Sequence, residues 1–130
     1  MYKKAILITN NYLVKESEAS NNRISIDFVE GSLLDVLTKA RDYIHKGHLL
    51  LTHPLMGSIK PNETPYKSIA VSVDFDGSGQ VDYDSLMYME NSIETTLKLL
   101  RNKPLRAWPE SVLEDFRVID YDLIRNAVNN

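Results

Sequence analysis

A Rossmann-like, three-layer α/β fold with a four-stranded, mostly parallel sheet is predicted by three observations. Residues 5–9 (AILIT) and 49–52 (LLLT) are apolar throughout, which suits central strands covered on both faces. Residues 24–30 (ISIDFVE) and 69–73 (IAVSV) instead alternate, the first in polarity and the second in side-chain size, as edge strands do. A well-capped helix lies between the second and third strands, and helical patterns follow the fourth. First and third strands placed between second and fourth give the order 2-1-3-4, which right-handed crossovers permit. The direction of the fourth strand is left open.

Each element has a local reason. Asn10 and Asn11 end the first strand, and Asn is a good N-cap, so YLVKESEA can make a short helix before the polar turn at Ser20 to Arg23. Ser32 can cap the next helix with Asp35 three residues on, an acidic variant of the capping box. Leu33, Leu37, Ala40 and Ile44 share one of its faces, His45 and Lys46 suit its last turn, and Gly47 supplies the stop. Asp82 or Asp84 opens a helix in which Leu86, Met89, Ile93, Leu97 and Leu100 keep a 3/4 spacing until Pro104. Pro109 suits a first helical position, and Asp120 can cap a last short helix carrying Leu123, Ile124 and Ala127.

Composition narrows the classes. One domain of 130 residues can fold without disulfides or a structural metal. The lack of cysteine excludes thiol nucleophiles, thiolate-ligated zinc and iron–sulfur clusters on this chain. A net charge of −3, with no cationic run beyond Lys3-Lys4, disfavours nucleic acid. No apolar run approaches a signal-peptide core or a membrane span, so a cytoplasmic protein that does not enter the membrane is expected.

The chemistry gathers in residues 52–68 (THPLMGSIKPNETPYKS), too long for an ordinary connection and without helical or strand period. Pro54, Pro61 and Pro65 stiffen it, and its apolar residues give it surface to dock, so an ordered binding loop is expected. Its start would face Asn10 and Asn11 across the switch point, where open α/β sheets bind ligands. His53, as an imidazole, suits either acid–base work or anion binding, as well as a purely structural role. Gly57, Ser58, Lys60, Asn62, Thr64 and Lys67 offer amides, hydroxyls and cations for a carboxylate or phosphate. Glu63 and Tyr66 could select an amino or methylammonium group. The loop is not a P-loop, and no cofactor is expected. Residues 74–85 (DFDGSGQVDYDS) imitate a calcium loop at Asp74, Asp76, Ser78, Gly79 and Asp82. Ser85 stands in place of the bidentate glutamate, and a strand pattern precedes the loop instead of a helix. No metal site is expected.

ILITNN, FVEGSLLDVL, HKGHLLLTHPLMGSIKPNETPYKS and SLMYMENSIET together resemble the GrdX family, small proteins encoded beside glycine, sarcosine and betaine reductase components. The resemblance implies an accessory role around reductive deamination of glycine or its N-methyl derivatives, and carries no catalytic residues with it. Three functions follow. The leading one is an accessory or sensor protein that binds a small anionic metabolite between Asn10, Asn11, Glu30, Ser32, Thr52 and the loop through Lys67. The second is an enzyme with His53 as acid–base and Lys60 or Lys67 stabilising charge. The third is an adaptor docking on a reductase subunit through residues 55–59. Homodimerisation stays open.

Overall fold

The computed structural model describes residues 4–75 and 77–129. Along the chain run β1 (Ala5–Thr9), α1 (Tyr12–Ser17), β2 (Ile24–Phe28), α2 (Leu33–His45), β3 (His48–Leu50), β4 (Ser68–Phe75), α3 (Tyr83–Asn102) and α4 (Glu110–Asn129). The sheet order is β2-β1-β4-β3, with β1 parallel to β2 and β4 antiparallel to both β1 and β3. This corrects the expected mostly parallel order 2-1-3-4: the sheet is mixed, and the last two strands exchange places. The fold is mixed α/β without the parallel order that would make it Rossmann-like.

The physical reason lies in the two strands that were exchanged. The apolar 49–52 run suggests double-sided burial, yet Leu49 is 47% and Leu51 38% exposed, because β3 is short and sits at the edge. β4 is the doubly covered strand, with Ile69, Ala70 and Val71 all fully buried. Its alternation of large and small side chains fits two unequal layers. Ile69 and Val71 join Ile8 in the core under α2 and α3, with Val36, Leu37, Ile44 and Met89. Ala70 joins Ala5, Leu7 and Val14 in the core under α1 and α4, with Ile124 and Val128. A small residue on the second face lets α4 approach the sheet closely.

Capping follows the sequence. Ser32 and Asp35 form the reciprocal box at α2, Asn11 caps α1, and Asp82 caps α3 through Ser85. The C-terminal region differs. Instead of two segments parted at Asp120, a single helix runs Glu110–Asn129, and Asp120 lies mid-helix on its buried stripe with Arg117, Ile124 and Val128. A carboxylate spaced four residues from Ile124 is carried inward by the helical period, and the sheet supplies the donors that tolerate it there.

The imitation calcium loop resolves into other roles. Asp74 belongs to β4, Gly79 takes a positive φ in the turn, Asp82 is committed to Ser85, and Asp76 lies outside the described residues. Among the described residues no group of three His, Asp or Glu is arranged to hold a metal. No helix is long and apolar enough to cross a membrane.

Candidate functional site

Because β1, β2 and β3 run one way and β4 the other, the C-terminal ends of three strands meet the start of β4. Residues 51–67, which join β3 to β4 as a wide hairpin, fold over that end. Thr9 pairs with Ser68 in the sheet, and their hydroxyls are 2.7 Å apart. The Ser68 hydroxyl donates to Asp120 Oδ2 at 2.8 Å, and Asn11 Nδ2 donates to the same oxygen at 3.0 Å and to the Arg117 carbonyl at 2.9 Å. Lys67, one residue before Ser68, lies beside this group. It shares with Asp120, Thr64, Tyr66, Met56, Ile59, Phe116, Ile119 and Leu123 a cavity of about 20 Å³, room for about one water-sized group.

Lys67 is 6% and Asp120 8% exposed. Burial pushes the Lys67 ammonium below the ordinary lysine range, and the nearby Asp120 charge only partly offsets it. Burial likewise pushes Asp120 up, against the hydrogen bonds from Asn11 and Ser68 and the charge of Lys67. The two groups feel each other without ion-pair contact, and Lys67 Nζ has no hydrogen-bond partner among the described residues. At one side Arg117 closes the site. Its guanidinium donates to the Tyr66 hydroxyl at 2.8 Å, pairs with Glu110, and stacks over the Tyr12 ring.

The structure gathers some of the anticipated residues and disperses the rest. Thr64, Tyr66 and Lys67 line the cavity, with Asn11 buried behind it. Asn10 braces it: its Nδ2 donates to the Gly31 and Pro65 carbonyls and its Oδ1 accepts from Lys67 N–H. Gly57 adopts φ +94° against Leu123, a close approach that a Cβ would obstruct at 2.7 Å. Asn62 Nδ2 donates to the Leu99 and Lys103 carbonyls at the end of α3, and the Glu63 carbonyl accepts from the Trp108 indole. Both contacts pin the loop. Ser58 and Lys60 are exposed, as is Glu30, and Ser32 is occupied as a cap.

Thr52 and His53 stand elsewhere. The Thr52 hydroxyl accepts from Ala70 N–H, and His53 lines an open groove of about 370 Å³ with Asp82, Asp84, Ser85 and Tyr88. His53 Nδ1 accepts from Leu55 N–H, and the ring meets Tyr88 edge-on. Thr52 does not face Asn10 across a crevice as the 2-1-3-4 order would have it, because β4 lies between β1 and β3. Within the 55–59 stretch, Met56 packs against the α4-side core and Ile59 faces the cavity.

Sequence reasoning placed Thr9 at this end of the sheet but missed Ser68, Arg117 and, above all, Asp120. A signal for Asp120 was present: Phe116, Leu123, Ile124 and Ala127 keep helical spacing straight through it. Reading one continuous helix would have turned that carboxylate toward the sheet.

Fold and site together define a small mixed α/β fold with a lysine and a carboxylate buried near each other under a loop at the end of its sheet. The chain belongs to the GrdX-like protein family, whose sequence profile matches residues 6–129. No curated protein and no solved structure matches it.

Proposed function

We propose that this protein is an accessory or sensor component of the glycine, sarcosine and betaine reductase system that binds a small anionic metabolite over Lys67. Family membership suggests the setting. The observation that carries the binding reading is Lys67 itself: a buried lysine with no side-chain hydrogen-bond partner among the described residues, lining a cavity under the 51–67 loop. A largely desolvated ammonium without a protein hydrogen-bond partner is costly to hold, and a ligand carboxylate or phosphate oxygen relieves that cost. Since the cavity admits about one water-sized group, a single ligand oxygen sits inside it and the rest of the anion lies outside.

The test is the thermal unfolding midpoint with glycine, sarcosine, betaine, acetyl phosphate and phosphate, on the natural chain and on Lys67→Met. A true ligand at about 100 times its Kd adds ~2.7 kcal/mol, a shift of about 10 °C for a chain of this size. The shift is expected to vanish in Lys67→Met and to survive in His53→Ala, whose ring sits in the separate groove. No shift with any anion would overturn the reading.

A further inference from the structure

We propose that Lys67 is a carbonyl-capturing amine: a small aldehyde or 2-oxo acid reaching the cavity condenses with Nζ to an imine, with Asp120 supplying the proton that expels water. This rests on the reading of the cavity as a ligand site and names the chemistry of its ligand.

Three observations lead there. The walls around Lys67 are mostly apolar, with Met56, Ile59, Phe116, Ile119 and Leu123 at hand. Such surroundings favour the neutral, nucleophilic amine over the ammonium. The second observation is that Nζ is spent on nothing else, being without a hydrogen-bond partner and out of ion-pair contact with Asp120. The third is the placement of Asp120 on the same cavity. Both side-chain hydrogen bonds it receives fall on Oδ2, which leaves Oδ1 free of side-chain donors. The other charged groups nearby are committed, Arg117 to Glu110 and to the Tyr66 hydroxyl.

In the proposed reaction the pair works with one proton between its two groups. With that proton on Asp120, Lys67 is a free amine and attacks the carbonyl carbon. The new C–N bond forms as the carbonyl electron pair moves to oxygen, and one N–H proton passes to that oxygen. The Asp120 proton then goes to the resulting hydroxyl, which leaves as water. What remains is an iminium on Lys67, balanced by the Asp120 carboxylate. No oxidant or reductant is consumed, and hydrolysis reverses every step. A cavity with room for one small group accepts the reacting carbonyl, while the rest of the molecule extends past the loop.

The experiment treats the folded chain at neutral pH with acetaldehyde or glyoxylate in the presence of cyanoborohydride, which fixes an imine as a stable secondary amine. Adducts are then mapped by peptide mass spectrometry. The expected result is one adduct, at Lys67, formed before any of the other eight lysines reacts, and no such early adduct in Lys67→Met. Capture of glyoxylate alone would place a carboxylate contact in the site, and capture of both would show that the carbonyl suffices. Modification spread over the exposed lysines with Lys67 untouched would overturn the inference. If acetate or phosphate still raises the unfolding temperature in the natural chain and not in Lys67→Met, the binding reading stands while covalent capture falls. With neither adduct nor shift, both fall. Mapping on the natural chain decides the question even if the variant folds poorly.

Discussion

Removing the Asp120 carboxylate puts the buried pair to its hardest test. In Asp120→Ala the hydrogen-bond losses are mild, because Asn11 Nδ2 keeps the Arg117 carbonyl and the Ser68 hydroxyl keeps Thr9. What is lost is the countercharge of a buried ammonium. Breaking a contacting buried ion pair from one side costs about 3–5 kcal/mol. Lys67 and Asp120 are not in ion-pair contact, and Lys67 can release its proton, so a smaller loss of about 1–3 kcal/mol is expected. Lys67→Met leaves Asp120 with both of its donors and should cost less. If the two groups interact, the double variant is less destabilised than the sum of the singles, by about 1–3 kcal/mol. Urea unfolding at neutral pH, followed by circular dichroism, measures all four corners of the cycle. Additivity within about 0.5 kcal/mol would refute the coupling. The pH profile gives an independent sign. Lys67, with its folded pKa lowered, binds fewer protons folded than unfolded just below the ordinary lysine range, so stability rises with pH there. Asp120, with its folded pKa raised, does the opposite: stability is highest below the ordinary carboxylate range and is lost as pH climbs through its folded value. Lys67→Met should flatten the alkaline rise and Asp120→Ala the acidic fall.

Two further substitutions probe the surroundings. Gly57→Ala forces a Cβ onto a residue at φ +94° and against Leu123. It should cost about 1–2 kcal/mol, seen as a lower urea midpoint, with an unchanged midpoint counting against the need for glycine there. Tyr43, pushed up to about 12 by burial and by its hydrogen bond to Asp27 at 2.6 Å, should titrate closer to an ordinary tyrosine in Asp27→Asn. An ultraviolet absorbance titration reads this directly, and an unmoved midpoint would show that burial alone sets the value.

What the sequence revealed, it revealed through short-range chemistry. The Ser32–Asp35 box, the Asn11 and Asp82 caps and the Pro104 stop depend on neighbours within a few residues, and each appears where the residue types place it. Strand order depends on what covers each face, and the 49–52 run carries no mark distinguishing a core strand from an apolar edge. The candidate site was legible in the same uneven way. Thr64, Tyr66 and Lys67 belong to a stretch conspicuous for its composition. Asp120 comes from a helix more than fifty residues further on and acquires its role only when α4 lies against β1 and β4. His53, conspicuous as a chemical type, lies in a different groove from Lys67 because β3 is at the edge.

The exchange of the last two strands also bears on how the molecule assembles. The central pair of the sheet joins Thr9 to Ser68 and Ala5 to Ser72, so it closes a loop of some sixty residues, an entropic cost that grows only slowly with length but must be met before the sheet has a centre. Pairings of this span slow folding. Lys67 acquires its surroundings only when that closure and the docking of α4 have both occurred, since Asn10, Asn11, Ser68 and Asp120 come from three distant parts of the chain. No partly assembled form lacking either contact presents the finished cavity, so the burial of Lys67 is a reporter of completed folding.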